Sequence, residues 1–250
     1  MKFLLSLLFG LFFYNAKAQG EHQLITQADK YEAALNETAA FETFKQVIKI
    51  NAKNHYALWK LSELCSRIGN RQATTKQKQQ YFNAGKAYAE FAIKSNPASA
   101  DGYYALAVAM GRFALSQSGK DKINAVKEIK LNAEKALKIN PQHGRAWHVV
   151  GKWHYEVSNL NMFEKAGVQI MFGGLPNASL KQAISAYEKA KIYEPNFALN
   201  YLELAKAYKR DGQNDKAISL LKTLPSIPNK TMDDVRIKKE GAVLLKNMAE

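Results

Sequence analysis

The sequence is poor in cysteine, proline, glycine and acidic residues, and each shortage excludes something. Its single cysteine, Cys65, allows no disulfide within the chain, so the fold has to be held together by packing. Six prolines and 14 glycines among 250 residues are too few for a low-complexity chain. Acidic residues number 22 against 36 lysines and arginines, and the resulting charge of +14 favours anionic partners such as acidic peptides or lipid headgroups.

Long apolar runs are missing except at the amino terminus. There, Lys2 precedes an almost unbroken apolar run over residues 3–14, and the small-x-small pattern Ala16-Lys17-Ala18 follows it. The run is shorter than the roughly 20 residues that a membrane-spanning helix needs. We therefore predict a signal peptide over residues 1–18, cleavage near Ala18, and a periplasmic or secreted protein. Nucleic acid is not expected as a partner, because an exported protein rarely meets it.

Patterns that mark catalysis or metal binding are missing as well. The sequence contains no G-x-S-x-G, no H-E-x-x-H and no glycine-rich dinucleotide turn after a strand. His148 and His154 stand six residues apart, on different faces of a helix, and neither has a second ligand at metal-binding spacing. We predict no catalytic residue, no metal and no cofactor, and therefore no enzyme.

What the sequence contains instead is a repeat. The segments AIKSNP, ALKINP and AKIYEP each end a helical pattern at a proline, which cannot continue a helix interior. An alanine stands five residues before each proline, where a small side chain lets a neighbouring helix cross closely: Ala92, Ala136 and Ala190. A further helical pattern is built around a small residue in each unit, namely Ser62, Ala107, Gly151 and Ala205.

This order of large, aliphatic, small and aromatic residues resembles the tetratricopeptide repeat of about 34 residues. The copy nearest to the consensus has Tyr201, Leu204, Ala205, Tyr208, Gly212 and Ala217. The resemblance implies an all-α, tetratricopeptide-like solenoid of about five helix pairs plus a C-terminal cap helix over residues 232–250. We expect residues 19–250 to form this single domain.

The last roughly 105 residues are also similar to the regulator of microtubule dynamics family. The residues that carry this similarity include Trp147, Gly151, Trp153, Tyr155, Phe172, Gly173, Pro176, Ala183, Pro195, Asn200, Tyr201, Leu204, Ala205 and Lys206. The resemblance implies a non-enzymatic helical-repeat domain. Members are associated with microtubules or organelle contact sites, and at least one such domain with lipid binding.

One unit is longer than the others, with 54 residues between Gly151 and Ala205. We assign the excess to an insertion over residues 159–178, within the fourth helix pair. Its apolar side chains allow two interpretations, in which they either cover the core at a widened junction or form the wall or lid of an apolar-ligand cavity. These side chains are Phe163, Ile170, Met171 and Phe172. Trp153 is expected to rest against the insertion and to donate its N–H to a loop carbonyl there.

A second candidate site is the concave groove of the solenoid. The stripe of first-helix residues predicted to line it holds Tyr56, Trp59, Arg67, Tyr104, Arg112, Arg145, His148, Lys152, Tyr155, Lys206, Lys209 and Arg210. Our first hypothesis is an exported interaction module that binds a protein or an acidic peptide there. The rival hypothesis is a carrier for a lipid or another apolar molecule, with an anionic membrane surface as a further partner. The alternative without a binding function is that these residues form an ordinary solvent-exposed helix face.

Overall fold

The computed structural model describes residues 19–249 of the chain, and within this range the structure is helical and contains no strand. The predicted signal peptide over residues 1–18 lies outside the described residues. The helices are α1 (19–33), α2 (Glu37–Ile50), α3 (His55–Asn70), α4 (Thr75–Ser95), α5 (Ala100–Ala114), α6 (Gly119–Ile139), α7 (Gly144–Ser158), α8 (Met162–Phe172), α9 (Leu180–Tyr193), α10 (Ala198–Arg210), α11 (Asn214–Thr223) and α12 (Asp234–Ala249). The prediction of an all-α helical-repeat fold is confirmed.

Local sequence signals set the ends of most helices. The side chains of Asn36, Asn54, Thr74 and Ser99 each accept a hydrogen bond from the backbone N–H three residues on, which satisfies a donor that the first helical turn leaves free. At their carboxyl ends, α4, α6 and α9 each finish two residues before a proline. A residue before proline avoids the helical conformation, so the stops occur where the sequence predicts them.

The helices form five pairs: α1 with α2, α3 with α4, α5 with α6, α7 with α9, and α10 with α11. The first helices of neighbouring pairs contact one another, since α3 touches α5, α5 touches α7 and α7 touches α10. In the described part of the chain no comparable contact joins α4 to α6 or α6 to α9. Because one side of the array is more tightly spaced, the array curves with the first helices on the inside.

Small side chains allow the close crossings. Ala107 and Ala205 are fully buried, and Gly151 faces the ring of Tyr187 so closely that an added Cβ would lie 2.7 Å from it. The long repeat spacing has two sources. Helices α4 and α6 have 21 residues each, and α8 occupies the segment between α7 and α9.

The last helix packs on the fifth pair. Helix α12 contacts α10 and α11, and Ile237 on α12 is 3% exposed within the core cluster of that pair. Among residues 19–249, no helix is both long and apolar enough to cross a membrane.

Candidate functional site: the inner wall of the array

The exposed faces of α3, α5, α7 and α10 form the inner wall of the curved array. The four helices all begin at one end of this wall, which we call the start end. They finish at the opposite end, which we call the finish end. The predicted groove residues lie on these four helices, but the structure distributes them between the two ends and the middle of the wall.

At the start end the wall contains a cavity of about 310 Å³, which we call the notch. Three successive helix pairs and their connections contribute to it, through Trp59, Lys60, Asp101, Tyr104, Asn140, Gln142, His143, Gly144, Arg145 and Glu194. Cationic and anionic side chains therefore face the same opening as the indole of Trp59. Three of the predicted groove residues, Trp59, Tyr104 and Arg145, are brought together here.

A buried carboxylate holds the notch together. Glu63 is 5% exposed, accepts a 2.8 Å hydrogen bond from the Tyr104 hydroxyl and lies 3.0 Å from Nη1 of Arg145. Burial alone would raise the pKa of Glu63, but Arg145, then Arg67 and Lys60, outweigh burial and lower this pKa to about 2. Glu63 on α3 is thereby tied to α5 and α7.

The rim of the notch has further internal partners. Nδ1 of His143 accepts a hydrogen bond from the backbone N–H of Ala146, so the ring proton is on Nε2, which donates to Asp101 across 3.2 Å. The ring of Trp59 meets that of Tyr56 edge-on, with centroids 5.4 Å apart, and the ammonium of Lys60 lies 5.1 Å from the Trp59 centroid. The indole is thus held between neighbours and has a fixed orientation.

In the middle of the wall, a second buried carboxylate pairs with two predicted groove cations. Glu203 on α10 is 5% exposed, 2.7 Å from the ammonium of Lys152 and 3.0 Å from that of Lys206. Burial alone would raise the pKa of Glu203. The positive charges of Lys152 and, to a smaller extent, Lys206 outweigh this effect of burial and hold the pKa below its usual range. Lys206 also reaches Glu240 on α12 at 2.6 Å.

The finish end is closed by a contact between distant parts of the chain. Arg71, the residue after α3, pairs with Glu37 at the beginning of α2 and lies 3.2 Å from Asp233. Glu37 is 1% exposed, lies 3.1 Å from Nε of Arg67 and accepts a 3.4 Å hydrogen bond from the backbone N–H of Met232. We call this group, Glu37, Arg67, Arg71, Met232 and Asp233, the closure.

The remaining predicted groove residues have other environments. Arg112 donates to Asn70 near the closure, and the hydroxyl of Tyr56 donates to Asp29. Arg210 donates to the carbonyls of Tyr155 and Ser158. Lys209 is exposed.

The prediction that His148 lines an open groove is wrong. Its ring is 7% exposed between Asn200, Tyr187 and Phe197, and burial lowers its pKa to about 4. Since Nδ2 of Asn200 donates to the Tyr187 carbonyl, its oxygen accepts from Nδ1–H of His148. His148 therefore joins the fourth pair to the fifth and is neutral at pH 7.

Sequence reasoning missed the carboxylates that neutralise the groove. Glu37, Glu203 and Asp233 are not among the predicted site residues. Glu37 nevertheless pairs with Arg67, and Glu203 pairs with Lys152 and Lys206, so these carboxylates hold three of the seven predicted cations. A signal existed for Glu203, which stands three residues before Lys206 and so shares a helix face with it. No local signal connects Asp233 to Arg71, because 162 residues separate them.

The insertion forms a helix instead of a loop, and its apolar face is open to solvent. Helix α8 has no buried residue, and Met162, Phe163, Ile170 and Met171 are 81, 87, 84 and 67% exposed. The interpretation that these side chains cover the core is therefore wrong. Phe172 is half-buried, and its carbonyl accepts a hydrogen bond from Lys127 on α6.

The tryptophans and the cysteine have structural environments. The indole N–H of Trp153 donates to the Val126 carbonyl on α6 at 2.8 Å, so the prediction that the insertion supplies this acceptor is wrong. Trp147 is half-buried and donates to the Pro141 carbonyl, with the ammonium of Lys189 4.0 Å from its ring. Cys65 is fully buried, and burial raises its pKa to about 12, which makes it an unreactive thiol at neutral pH. Residues 19–249 contain no cluster of three potential metal ligands.

Comparison with known proteins agrees with this architecture. A family model described as Regulator of microtubule dynamics protein 1-3 matches residues 24–249. The chain belongs to this family. The resemblance read from the sequence is confirmed, and the similarity extends well beyond the last 105 residues.

Relatives in the regulator of microtubule dynamics family are distant and longer. The chain is 25% identical to regulator of microtubule dynamics protein 3 of Bos taurus over 221 residues, which are 87% of this chain and 47% of that protein. It is 27% identical to protein 3 of Mus musculus over 184 residues, 73% of this chain and 39% of the relative. The chain therefore spans half or less of the length of these curated relatives.

Solved structures support the repeat fold. TTC0263, a thermophilic tetratricopeptide-repeat protein of Thermus thermophilus, superposes with a TM-score of 0.66 at 14% identity, covering 89% of this chain and 99% of that one. The Pseudomonas aeruginosa protein pilF superposes with a TM-score of 0.55 at 12% identity. The match covers 94% of this chain and 89% of the pilF chain. At such identities the likeness shows the fold alone.

The same comparisons correct the predicted location. Relatives named for microtubule dynamics, from cattle and mouse, point away from a periplasmic or secreted destination. The prediction of an exported protein is therefore wrong.

Proposed function

We propose that this chain is a non-enzymatic protein-interaction module that holds an extended segment of a partner protein in the notch. The observation that carries the proposal is the construction of the notch, in which three successive helix pairs place an oriented indole beside charged and amide side chains of the same opening. Aromatic anchors surrounded by polar groups are typical of the residues that dominate protein interfaces.

The notch suits a peptide with both polar and apolar groups better than a purely acidic one. Arg145 already lies 3.0 Å from Glu63, and Lys60 already pairs with Glu32, so neither cation is left uncompensated for an acidic ligand. Asp101, with a side chain that is 49% exposed, and the exposed Gln142 remain accessible at the rim. These two side chains can hydrogen-bond to the backbone of an extended segment, while Trp59 covers an apolar side chain.

A photo-crosslinking amino acid tests this placement. We would replace Trp59 with p-benzoylphenylalanine in the full chain and crosslink in the producing cells. The matched control carries the same residue at Phe91, which is 56% exposed on α4, away from the inner wall. The proposal predicts a defined crosslinked partner from position 59 that is missing from position 91. Equal crosslinking from both positions, or none from position 59, would contradict it.

The names of the relatives make tubulin the first partner to test. Purified microtubules would be co-sedimented with the full chain and with Trp59→Ala and Phe91→Ala. If tubulin is the partner, Trp59→Ala weakens binding about tenfold or more, the usual effect of losing an aromatic anchor, while Phe91→Ala has no effect. If both variants bind microtubules as the wild type does, the notch does not bind tubulin.

A second candidate function, docking on an anionic membrane surface, is favoured by α8. At 100° per residue, Met162, Phe163, Ile170 and Met171 occupy about one half of the helix circumference, and this half is the exposed one. The helix is well defined, since Asn161 caps its start and Gly173 ends it with φ 72°. Exposed apolar patches of this kind usually mark a contact with a protein or a membrane.

Charge favours the membrane over an apolar protein groove. Residues 119–128 at the start of α6, which α8 contacts, and residues 156–181 around the insertion carry five lysines against four carboxylates: Lys120, Lys122, Lys127, Lys165 and Lys181 against Asp121, Glu128, Glu156 and Glu164. A helix with an apolar face and basic neighbours binds the interface of an anionic bilayer.

A fluorescent label on α8 tests this docking directly. Phe163→Cys would carry an environment-sensitive nitrobenzoxadiazole label, which the buried Cys65 does not take up, and Phe91→Cys would be the matched control. Vesicles of phosphatidylcholine with added phosphatidylserine should shift the emission of the first label to the blue and leave that of the second unchanged. If the vesicles bind the protein while the label at position 163 stays in water, another segment binds them and α8 does not.

A further inference from the structure

The residues that lead into α12 reach across the array to the first pairs. Asp233 lies 3.2 Å from Arg71, although 162 residues separate them, and the N–H of Met232 donates to Glu37 over a separation of 195 residues. A cap helix needs to cover only the last pair. This additional contact makes residues 229–236 a bridge between the two ends of the solenoid.

The bridge is held by charge and not by apolar burial. Met232 and Val235 are 49 and 62% exposed, so the apolar side chains around Asp233 add little. The body of α12 is different, because Ile237 is buried in the core cluster of the fifth pair. The helix is therefore anchored at its body, whereas its start is attached to the first pairs through hydrogen bonds and ion pairs.

The surface of the first pairs that the bridge contacts contains arginines, and these keep their positive charge when the bridge is absent. Arg67 has Glu32 and Glu37 as partners, but Arg71 shares Glu37 with it and has Asp233 as its other carboxylate. Arg112, largely enclosed, donates to Asn70, and the Asp233 charge acts on it from beyond ion-pair distance. Removal of Asp233 leaves Arg71 and Arg112 short of negative charge, and a carboxylate from elsewhere would restore it.

We propose that residues 229–236 are a latch, which closes the array through Asp233 on Arg71 and which an acidic segment of a partner protein displaces. The displacing part of this inference rests on the proposed function as a protein-interaction module; the latch itself does not. The bridge meets the first two pairs through the Asp233–Arg71 ion pair and the hydrogen bond from Met232 to Glu37. When these contacts open, the finish end of the inner wall becomes accessible and the array can widen.

Hydrogen exchange of the full chain, followed by mass spectrometry, tests the latch without any partner. Asp233→Asn should increase exchange about fivefold over residues 229–236, as expected for the loss of a partly buried ion pair. Asp215→Asn, on the exposed first turn of α11, is the matched control and should change nothing. Asp233→Glu, which keeps the carboxylate, should retain most of the protection. Unchanged exchange in Asp233→Asn would overturn the latch.

A capped peptide with the sequence of residues 231–235, which carries Asp233 and Asp234 and no basic residue, tests the displacement. It should bind the Asp233→Asn chain about tenfold more tightly than the wild type, and Arg71→Met in the same chain should abolish the gain. Trp59→Ala in the notch should leave this binding unchanged, which separates this site from the proposed function. If exchange shows opening but the peptide gains no affinity, displacement by an acidic segment is overturned, whereas the latch stands.

Discussion

The notch and the closure lie at opposite ends of the inner wall, and in both a carboxylate pairs with an arginine. They differ in the parts of the chain that these ion pairs connect. In the notch, Glu63 on the second pair binds Tyr104 on the third and Arg145 on the fourth, which are 41 and 82 residues away. In the closure, Asp233 binds Arg71 across 162 residues and joins the last helix to the first pairs. The notch therefore stabilises the curvature of three successive pairs, whereas the closure depends on the curvature of all five pairs together.

The notch and the closure also differ in how much stability is lost when their ion pairs are removed. Glu63 is 5% exposed, and a carboxylate at such a position is costly without its cation. The side chain of Arg71 is 28% exposed, and water can replace part of what it loses. We expect disruption of the notch to lower the free energy of unfolding of the whole domain, and disruption of the closure to have a mostly local effect.

Arg145→Met is expected to have the largest effect. It removes the main cation from buried Glu63 and should lower the free energy of unfolding by about 3 kcal/mol or more. Urea denaturation measures this change. Lys45→Met, which breaks an exposed pair with Glu42, is the control and should cost less than about 0.5 kcal/mol. Similar losses in the two variants would mean that burial does not separate the two kinds of ion pair.

Acid should weaken the array in two steps. Burial lowers the pKa of His148 from 6.5 to about 4, so between these pH values the unfolded chain takes up a proton that the folded chain does not, and stability falls as the pH falls. Glu63, with a pKa lowered from 4.5 to about 2, adds a second loss in that range.

Urea denaturation at a series of pH values measures both steps, each on the order of a few kcal/mol at most. His148→Gln should flatten the upper step and leave the lower one unchanged. Persistence of the upper step in this variant would assign it to another group.

Between the two ends, Gly151→Ala tests the helix crossing instead of charge. Its Cβ would lie 2.7 Å from the ring of buried Tyr187, and overpacking should cost about 1–3 kcal/mol. Gly111→Ala on α5 is the matched control, since its Cβ would be 3.8 Å from Ile129 in ordinary contact, and it should be neutral or slightly stabilising. Thermal unfolding compares the two, and equal midpoints would contradict the close crossing.

The smallest effect is expected at the closure. Asp233→Asn should lower the global free energy of unfolding by about 1 kcal/mol or less, and added salt should reduce the difference from the wild type. Denaturation at low and high salt measures it. A loss as large as that of Arg145→Met would show that the closure is part of the global fold and not a local contact.

Much of the fold could be predicted because its signals are local. The prolines after α4, α6 and α9 and the small residues at the crossings lie within one helix pair, where spacing alone predicts them. The groove stripe was predicted on the correct helices, yet Trp59, Tyr104 and Arg145 meet in the notch while His148 is buried. The apolar insertion was predicted as core or cavity lining because apolar residues usually are, and only neighbouring helices decide whether such a face is covered.

By itself, the sequence determined that this protein is a chain of helix pairs, since period, caps and stops act over a few residues. Only the tertiary structure decided which charges meet. Glu203 neutralises Lys152 and Asp233 reaches Arg71 because the curvature of successive pairs brings these groups together, and curvature is the sum of many helix contacts that no single segment encodes. For the same physical reason, α8 is exposed: its own residues make it a helix, and the surrounding array leaves its apolar face uncovered.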